Sequence, residues 1–217
     1  MIHVQAFTFN PYRENTYVLY DHTKECIIID PGMYGGEEQT TLVKFITENE
    51  LKPVRLLNTH CHIDHVLGNK FIYDTYTLLP QFHQGELSLL AAVVSYAPQM
   101  GFKYDVSPLP EKFLTVEEPI LFGNSELEIR FVPGHSPAHI CFYSKEDNFV
   151  IGGDVLFYMS IGRTDLPGGD FDQLKNSIQT QLFVLPNDCK VYPGHGQPTY
   201  IGFEKENNPY LTESVGH

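Results

Sequence analysis

The sequence predicts an α/β fold in which mixed β-sheets are covered by helices. Three observations carry that prediction. Runs rich in β-branched and aromatic residues recur in both halves of the chain, a helical stretch follows the strands in each half, and each half places a histidine motif just beyond a strand. Strands interleaved with helices bury their apolar faces as sheets flanked by helices. Loops held at the ends of a rigid sheet are where such folds put chemistry. The 217 residues fit one domain of ordinary size rather than two very small ones. Residues 1–217 are therefore read as a single domain, with the proline-containing stretch 98–110 as its weakest join.

Residues 3–9, 16–20 and 26–30 read as three consecutive antiparallel strands, separated by the turn signals Asn10-Pro11 and Asp21-His22-Thr23. Pro31-Gly32 and Gly35-Gly36 break the chain. Leu42, Val43, Phe45 and Ile46 then fall at helical spacing and predict an amphipathic helix over 37–50. Residues 53–58 form a short buried strand. A helix weakened by Gly68 is expected over 66–76, and a second over 84–96, where Leu87, Leu90 and Val93 recur. Strands return at 120–122, 126–132, 139–143 and 149–151. A helix over 171–182 and a strand over 190–192 follow, and the polar tail after Gly196 has room for one short helix.

The formal charge of −13, with no run rich in Lys or Arg, disfavours nucleic acid as a partner, because that binding depends on neutralising phosphates. It does not demand a cationic substrate, since two divalent ions would invert the sign inside a site. Cys26, Cys61, Cys141 and Cys189 are scattered without a C-x-x-C pair and read as free buried thiols of a reducing cytoplasm. The N-terminus lacks a basic region followed by an apolar run, so no signal peptide is expected. No apolar stretch approaches the length of a membrane span. The expectation is a cytoplasmic protein acting on a small molecule, with neither nucleic acid nor membrane as partner. Neither charge nor motif specifies an oligomeric state.

Four short motifs carry the chemistry. Residues 59–65 read Thr-His-Cys-His-Ile-Asp-His, followed by Gly-His at 134–135, Gly-Gly-Asp at 152–154 and Pro-Gly-His-Gly at 193–196. His60, His62, Asp64, His65, His135, Asp154 and His195 make five imidazoles and two carboxylates. That is more than one metal ion needs, and it suits two ions sharing a carboxylate, with positions open for water and substrate. His60 and His62, two apart, fall on one face of an extended or turn segment. Asp64 and His65 are displaced toward a neighbouring ion. His135 and His195 supply one further ligand per ion, and Asp154 can bridge. Gly134, Gly153, Gly194 and Gly196 let the backbone turn sharply beside them.

Such a bridge holds two ions roughly 3.5–4 Å apart, and a water between them becomes hydroxide near neutral pH. Asp64 and Asp154 are then catalytic as ligands that orient the metal-bound hydroxide. Two ions, two carboxylates and a hydroxide leave a net charge of about +1, which favours a developing oxyanion and an anionic leaving group. Two divalent ions are expected, zinc first, with iron and manganese as alternatives, because imidazole and carboxylate donors accept all three. His3, His22, His83 and His217 read as solvated, and His139 as packed. Cys61, between two ligands, points away from them. Asp30, at a strand end before Pro31-Gly32, is either a turn residue or an acceptor for a ligand imidazole's second N–H.

Together these motifs resemble the metallo-β-lactamase superfamily over nearly the whole chain. The resemblance implies an αββα sandwich, two mixed β-sheets face to face with helices outside and the metals at one edge. It assigns His60, His62 and His135 to one ion, Asp64, His65 and His195 to the other, and Asp154 between them. The segment Ser-Ile-Gly-Arg-Thr-Asp-Leu-Pro-Gly-Gly-Asp at 160–170, with the motif at 193–196 and Asn-Pro-Tyr-Leu at 208–211, is similar to short single-domain bacterial glyoxalase II-like hydrolases. This implies hydrolysis of a thioester such as S-D-lactoylglutathione or another hydroxyacyl thioester. Arg163 matches a basic glutathione-contacting position and is the expected substrate-binding residue. Its other reading is a pairing with Asp165 or Asp170 that pins the loop. Asp165 and Gln197 stand where the longer enzymes carry glutathione-contacting tyrosines, and the C-terminal helical domain of those enzymes is not expected here.

A thiolate needs little protonation near pH 8, so the lack of an evident general acid suits a thioester better than an amide. Persulfide dioxygenases share the fold and a related Gly-Arg-Thr-Asp segment but use one iron held by two His and one Asp. The Pro-Gly-His-Gly and Leu-Pro-Gly-Gly-Asp runs favour the hydrolase. A lactonase or β-lactamase is the third reading.

Overall fold

The computed structural model describes residues 1–212. β1 (His3–Phe9), β2 (Glu14–Tyr20) and β3 (Glu25–Ile29) form the expected antiparallel meander. α1 (Gly36–Glu48) leads to β4 (Lys52–Leu57), which pairs with β3 in parallel. α2 (Ile63–Val66) and α3 (Asn69–Tyr76) precede β5 (Pro80–Gln81), and the first sheet runs β1-β2-β3-β4-β5. α4 (Leu87–Tyr96) crosses to the second half. There β6 (Ile120–Phe122), β7 (Ser125–Phe131), β8 (Ile140–Ser144) and β9 (Phe149–Gly153) pair antiparallel in turn. A two-stranded hairpin follows, β10 (Leu156–Phe157) and β11 (Ser160–Ile161), then α5 (Phe171–Ser177), β12 (Lys190–Pro193), β13 (Thr199–Tyr200) and α6 (Ile201–Asn207). β12 joins β9 in parallel and completes a sheet of order β13-β12-β9-β8-β7-β6.

The period of two along a strand explains the layers. Ile27, Ile29 and Leu57 meet Ile140, Phe142 and Ile151 between the sheets. Their neighbours Cys26, Ile28 and Leu56 point the other way, against Leu42 and Ile46 of α1 and Ile72 of α3. On the far side Cys141, Tyr143, Val150 and Val191 pack on Leu174 of α5 and Ile201 of α6. Strands covered on both faces read as continuous apolar runs, as Ile27-Ile28-Ile29 does. The architecture is an αββα sandwich of two mixed sheets. Cys61, Ile63 and Val66 pack beneath Leu90 and Val93 of α4, which fixes the histidine loop at the sandwich edge.

Several elements depart from the sequence reading. β2 begins at Glu14, because Glu14 and Asn15, both buried, pair with Phe9 and Thr8. The helix expected over 66–76 is broken at Leu67-Gly68, where the Gly68 N–H donates to the Pro31 carbonyl at 2.7 Å. The 84–96 helix starts as a 3₁₀ turn, Gln84–Glu86, and continues through a second, Ala97–Met100, which holds Pro98 in its first turn. The 171–182 helix ends in a π-helical turn, Ile178–Leu182. β5, β10, β11 and β13 have two residues each, too few for a period to register. α6 is the short helix expected in the tail.

Asp21 ties the two sheets together. Its carboxylate accepts from the Thr23 N–H (2.9 Å) and hydroxyl (2.5 Å) after β2, from the Asn124 N–H (2.7 Å) in the β6–β7 turn, and from the Ser125 hydroxyl (2.9 Å) at the start of β7. Burial opposes its ionisation, but these donors outweigh burial and hold the carboxyl down to about 2. A depressed carboxylate stabilises the fold above its unfolded pKa of roughly 3.9, and that contribution is lost as pH falls through the folded value. Asp21→Asn should therefore lower the unfolding free energy at pH 7 by about 1–3 kcal/mol. The gap to wild type should close between pH ~4 and ~2, which urea unfolding across that range will measure.

Candidate metal centre

The seven predicted donors come from four loops at one edge of the sandwich. β4 ends at Leu57, and Asn58-Thr59 lead into His60, Cys61 and His62, with Asp64 and His65 in α2. His135 follows β7, Asp154 follows β9, and His195 follows β12. Gly134 sits at φ +128°, and a Cβ there would lie 2.3 Å from the Leu174 backbone nitrogen. Only glycine lets α5 press so closely on the His135 loop.

The structure brings all seven together in two groups. In the first, His135 Nε2 lies 2.9 Å from His62 Nδ1 and 3.3 Å from His60 Nε2. In the second, Asp64 Oδ2 lies 3.0 Å from His195 Nε2 and 3.7 Å from His65 Nε2. In each group the facing donor atoms fall within 4.8 Å of one another. Asp154 reaches both: Oδ2 lies 3.6 Å from His135 Nε2 and 3.5 Å from His195 Nε2, and Oδ1 lies 3.4 Å from His65 Nε2.

The three imidazoles of the first group and the two carboxylates are held in the forms a divalent ion takes, neutral imidazole and ionised carboxylate. Burial, reinforced by neighbouring imidazoles, holds His60 well below its ordinary range and His62 down to about 4. Burial also lowers His135, against the pull of Asp154. Burial works against the charge of Asp154, yet His65, His195 and His135 hold it ionised, and His65 and His195 do the same for Asp64. His65 is the converse: burial opposes its protonation, but Asp154, Asp64 and Asp30 push it up. Among the described residues, both ring nitrogens of His65 and Oδ1 of Asp154 are buried without a hydrogen-bond partner. Such atoms are costly to bury. A cation between the two groups would satisfy His65 Nε2 and Asp154 Oδ1, so the donor set fits divalent metal.

The outer nitrogens of two imidazoles are held in turn. His135 Nδ1 meets the Arg163 carbonyl at 2.8 Å, and His195 Nδ1 the Tyr12 carbonyl at 3.0 Å. Asp30 sits at φ +50° as a turn residue and also acts as an acceptor. Its carboxylate accepts the Thr59 N–H (2.7 Å) and hydroxyl (2.6 Å), and Oδ2 faces His65 Nδ1 at 3.1 Å. Behind His65 lies Glu14, fully buried, with its carboxyl pushed well up by burial and one oxygen 3.9 Å from Nδ1. His139 is packed as expected, and it has a task. Its ring stacks on His60 at 4.8 Å, and its Nε2 accepts the Asp154 N–H at 3.1 Å.

Other expectations divide. Cys61 is buried with Ile63 and Val66 under α4, away from the imidazoles. His3 and His22 are exposed, and His217 lies outside the described residues. His83 is not simply solvated: it is half-buried, its Nδ1 accepts the Gly85 N–H, and its ring packs on Phe131 at 4.9 Å. The Arg163 guanidinium makes a bidentate pair with Asp165, both bonds 2.7 Å, and the side chains are 61% and 68% exposed. The sequence reading missed Glu14 and Glu86. Glu14 stands among Arg13, Asn15 and Thr16, and Glu86 follows His83-Gln84-Gly85, so neither leaves a local signal in the sequence.

A family model described as the Metallo-beta-lactamase superfamily matches residues 10–195. Hydroxyacylglutathione hydrolase GloC of Haemophilus influenzae is 34% identical over 212 residues, covering 97% of this chain and 98% of its own. The crystal structure of BLEG-1 B3 metallo-beta-lactamase superposes with a TM-score of 0.88 at 33% identity, covering 98% of this chain and 100% of that one. TTHA1623 in a di-iron-bound form superposes with a TM-score of 0.86 at 34% identity, covering 96% of this chain and 100% of that one. With the αββα sandwich and two donor groups at its edge, these matches establish that the chain belongs to the metallo-β-lactamase superfamily and is a metal-dependent hydrolase.

Proposed function

We propose that this hydrolase cleaves thioesters at a pair of divalent ions, with S-D-lactoylglutathione or another hydroxyacyl thioester as substrate. The observation that carries the reading is Asp154, whose Oδ2 lies between His135 of one donor group and His195 of the other while its Oδ1 faces His65. Similarity to a hydroxyacylglutathione hydrolase over 97% of the chain supports the substrate class. His60, His62 and His135 would hold one ion, Asp64, His65 and His195 the other, and Asp154 both. Zinc is the proposed metal, and the di-iron form of TTHA1623 supports iron as the alternative.

Bound divalent ions supply Lewis acidity and a water acidic enough to be hydroxide near neutral pH. The chain's part is positioning. The carbonyls of Tyr12 and Arg163 fix the outer edges of two imidazoles, and the carboxylate of Asp30 lies 3.1 Å from the outer nitrogen of a third, His65. Asp64 and Asp154 stay ionised and are the carboxylates proposed to orient the attacking water. Sulfur departs as thiolate, which asks for no proton donor near pH 8. Arg163 is proposed to meet a carboxylate of an acidic thioester. Its Asp165 partner lies on the same exposed loop, and an exposed pair contributes little, so a substrate carboxylate competes at small cost. The four buried, unpaired cysteines support a reducing compartment as its place. Among the described residues, no helix is long and apolar enough to cross a membrane. A second reading, β-lactam hydrolysis, is favoured by the likeness to BLEG-1.

Three outcomes are expected. Asp154→Ala should lose both ions, whereas His135→Ala should mainly weaken one; elemental analysis of purified variants checks this, and two equivalents retained by Asp154→Ala would exclude the bridge. Arg163→Ala should raise KM for S-D-lactoylglutathione more than for an uncharged thioester. Equal effects on both substrates, with a lower Tm, would return Arg163 to pinning its loop. Finally, protein reconstituted with zinc, iron or manganese should cleave a thioester much faster than the matched amide or a cephalosporin, without oxygen. Preference for the cephalosporin would promote the β-lactam reading. Oxygen uptake from glutathione persulfide, with iron alone active, would replace hydrolysis by a dioxygenase reaction.

A further inference from the structure

Glu86 closes the 3₁₀ turn that leads into α4, and its carboxylate is fully buried. Oε2 accepts the N–H of Cys61, the residue between His60 and His62, at 3.0 Å. Oε1 accepts the Ser136 hydroxyl and the Ala138 N–H, both at 2.7 Å, in the loop that follows His135. One carboxylate thus grips both chain segments that bring the three-imidazole group together. The backbone is pressed equally close, since a Cβ on Gly85 would lie 2.5 Å from the Ala138 Cβ.

All three partners are donors. A carboxylate accepts from each of them, whereas an amide of the same shape has a single oxygen and must turn its NH₂ toward a donor. A buried charge is expensive unless such partners surround it. The second donor group is supported from elsewhere, by Asp30 behind His65 and by the Tyr12 carbonyl at His195. We propose that Glu86 is a positioning residue that sets the geometry of the His60, His62 and His135 group, transmitting the seat of α4 to one of the two ions. The inference rests on the two-metal reading above.

The test is titration of the full chain with Co²⁺ alone, read by equilibrium binding and visible absorption, with circular dichroism as the check on folding. Wild type should take two equivalents. Folded Glu86→Gln should bind one ion as wild type does and the other about 10-fold or more weakly, with an altered spectrum for that ion. Binding and spectrum unchanged at both sites would overturn the proposal, and so would equal weakening of both ions. If Glu86→Gln does not fold, Ser136→Ala removes one of the three donors and keeps the carboxylate. It should weaken the same ion by a smaller factor, and wild-type titration by that variant would overturn the proposal. A wild-type chain that binds no Co²⁺ would overturn the metal reading and this inference with it.

Discussion

Five imidazoles and two carboxylates share one buried edge of this fold, and the rest of the structure is arranged so that their charges can coexist. Three of the imidazoles are kept neutral by burial and by each other. The remaining two stand against carboxylates that stay ionised because the imidazoles are there. The cleft is therefore divided electrostatically, with neutral imidazoles on one side and imidazoles paired with ionised carboxylates on the other. Asp154 belongs to both, and its backbone is held by His139, whose ring supports His60 from behind.

The sandwich delivers this arrangement because loops from both sheets end at the same edge. β4 supplies the first sheet's donors, and β7, β9 and β12 supply those of the second. The sheets are locked face to face by apolar packing between Ile27, Ile29, Ile140 and Phe142. At the strand ends packing no longer positions the chain, and buried carboxylates take over. Asp30 reaches from the end of β3 to Thr59 and His65, and Glu86 reaches from the start of α4 to Cys61, Ser136 and Ala138. Each joins segments that are remote in sequence, so the donor geometry depends on several layers at once.

The sandwich and the donors were legible because both leave local marks. Strands such as Ile27-Ile28-Ile29 are apolar runs, and His, Asp and Gly cluster in short motifs. The two-residue strands were not legible, and neither was the break at Leu67-Gly68, which depends on a hydrogen bond to distant Pro31. Asp30 was legible as either a turn-former or an acceptor for the histidine loop, and that it is both follows from Thr59 folding back beside it. Glu14 and Glu86 look like ordinary acids, because what makes them unusual is burial among partners far along the chain. Arg163 was singled out from a motif, and the motif could not reveal that its backbone faces His135 while its side chain is bound to Asp165.

That last division has an evolutionary meaning. His135 and His195 are held by the carbonyls of Arg163 and Tyr12, groups that every amino acid possesses, while the side chains of both residues are exposed. Substitution at either position changes what the rim of the cleft presents without removing the atom that steadies the imidazole. Residues next to the reactive centre can therefore drift, and the lineage can try new substrates while the inner chemistry is inherited intact.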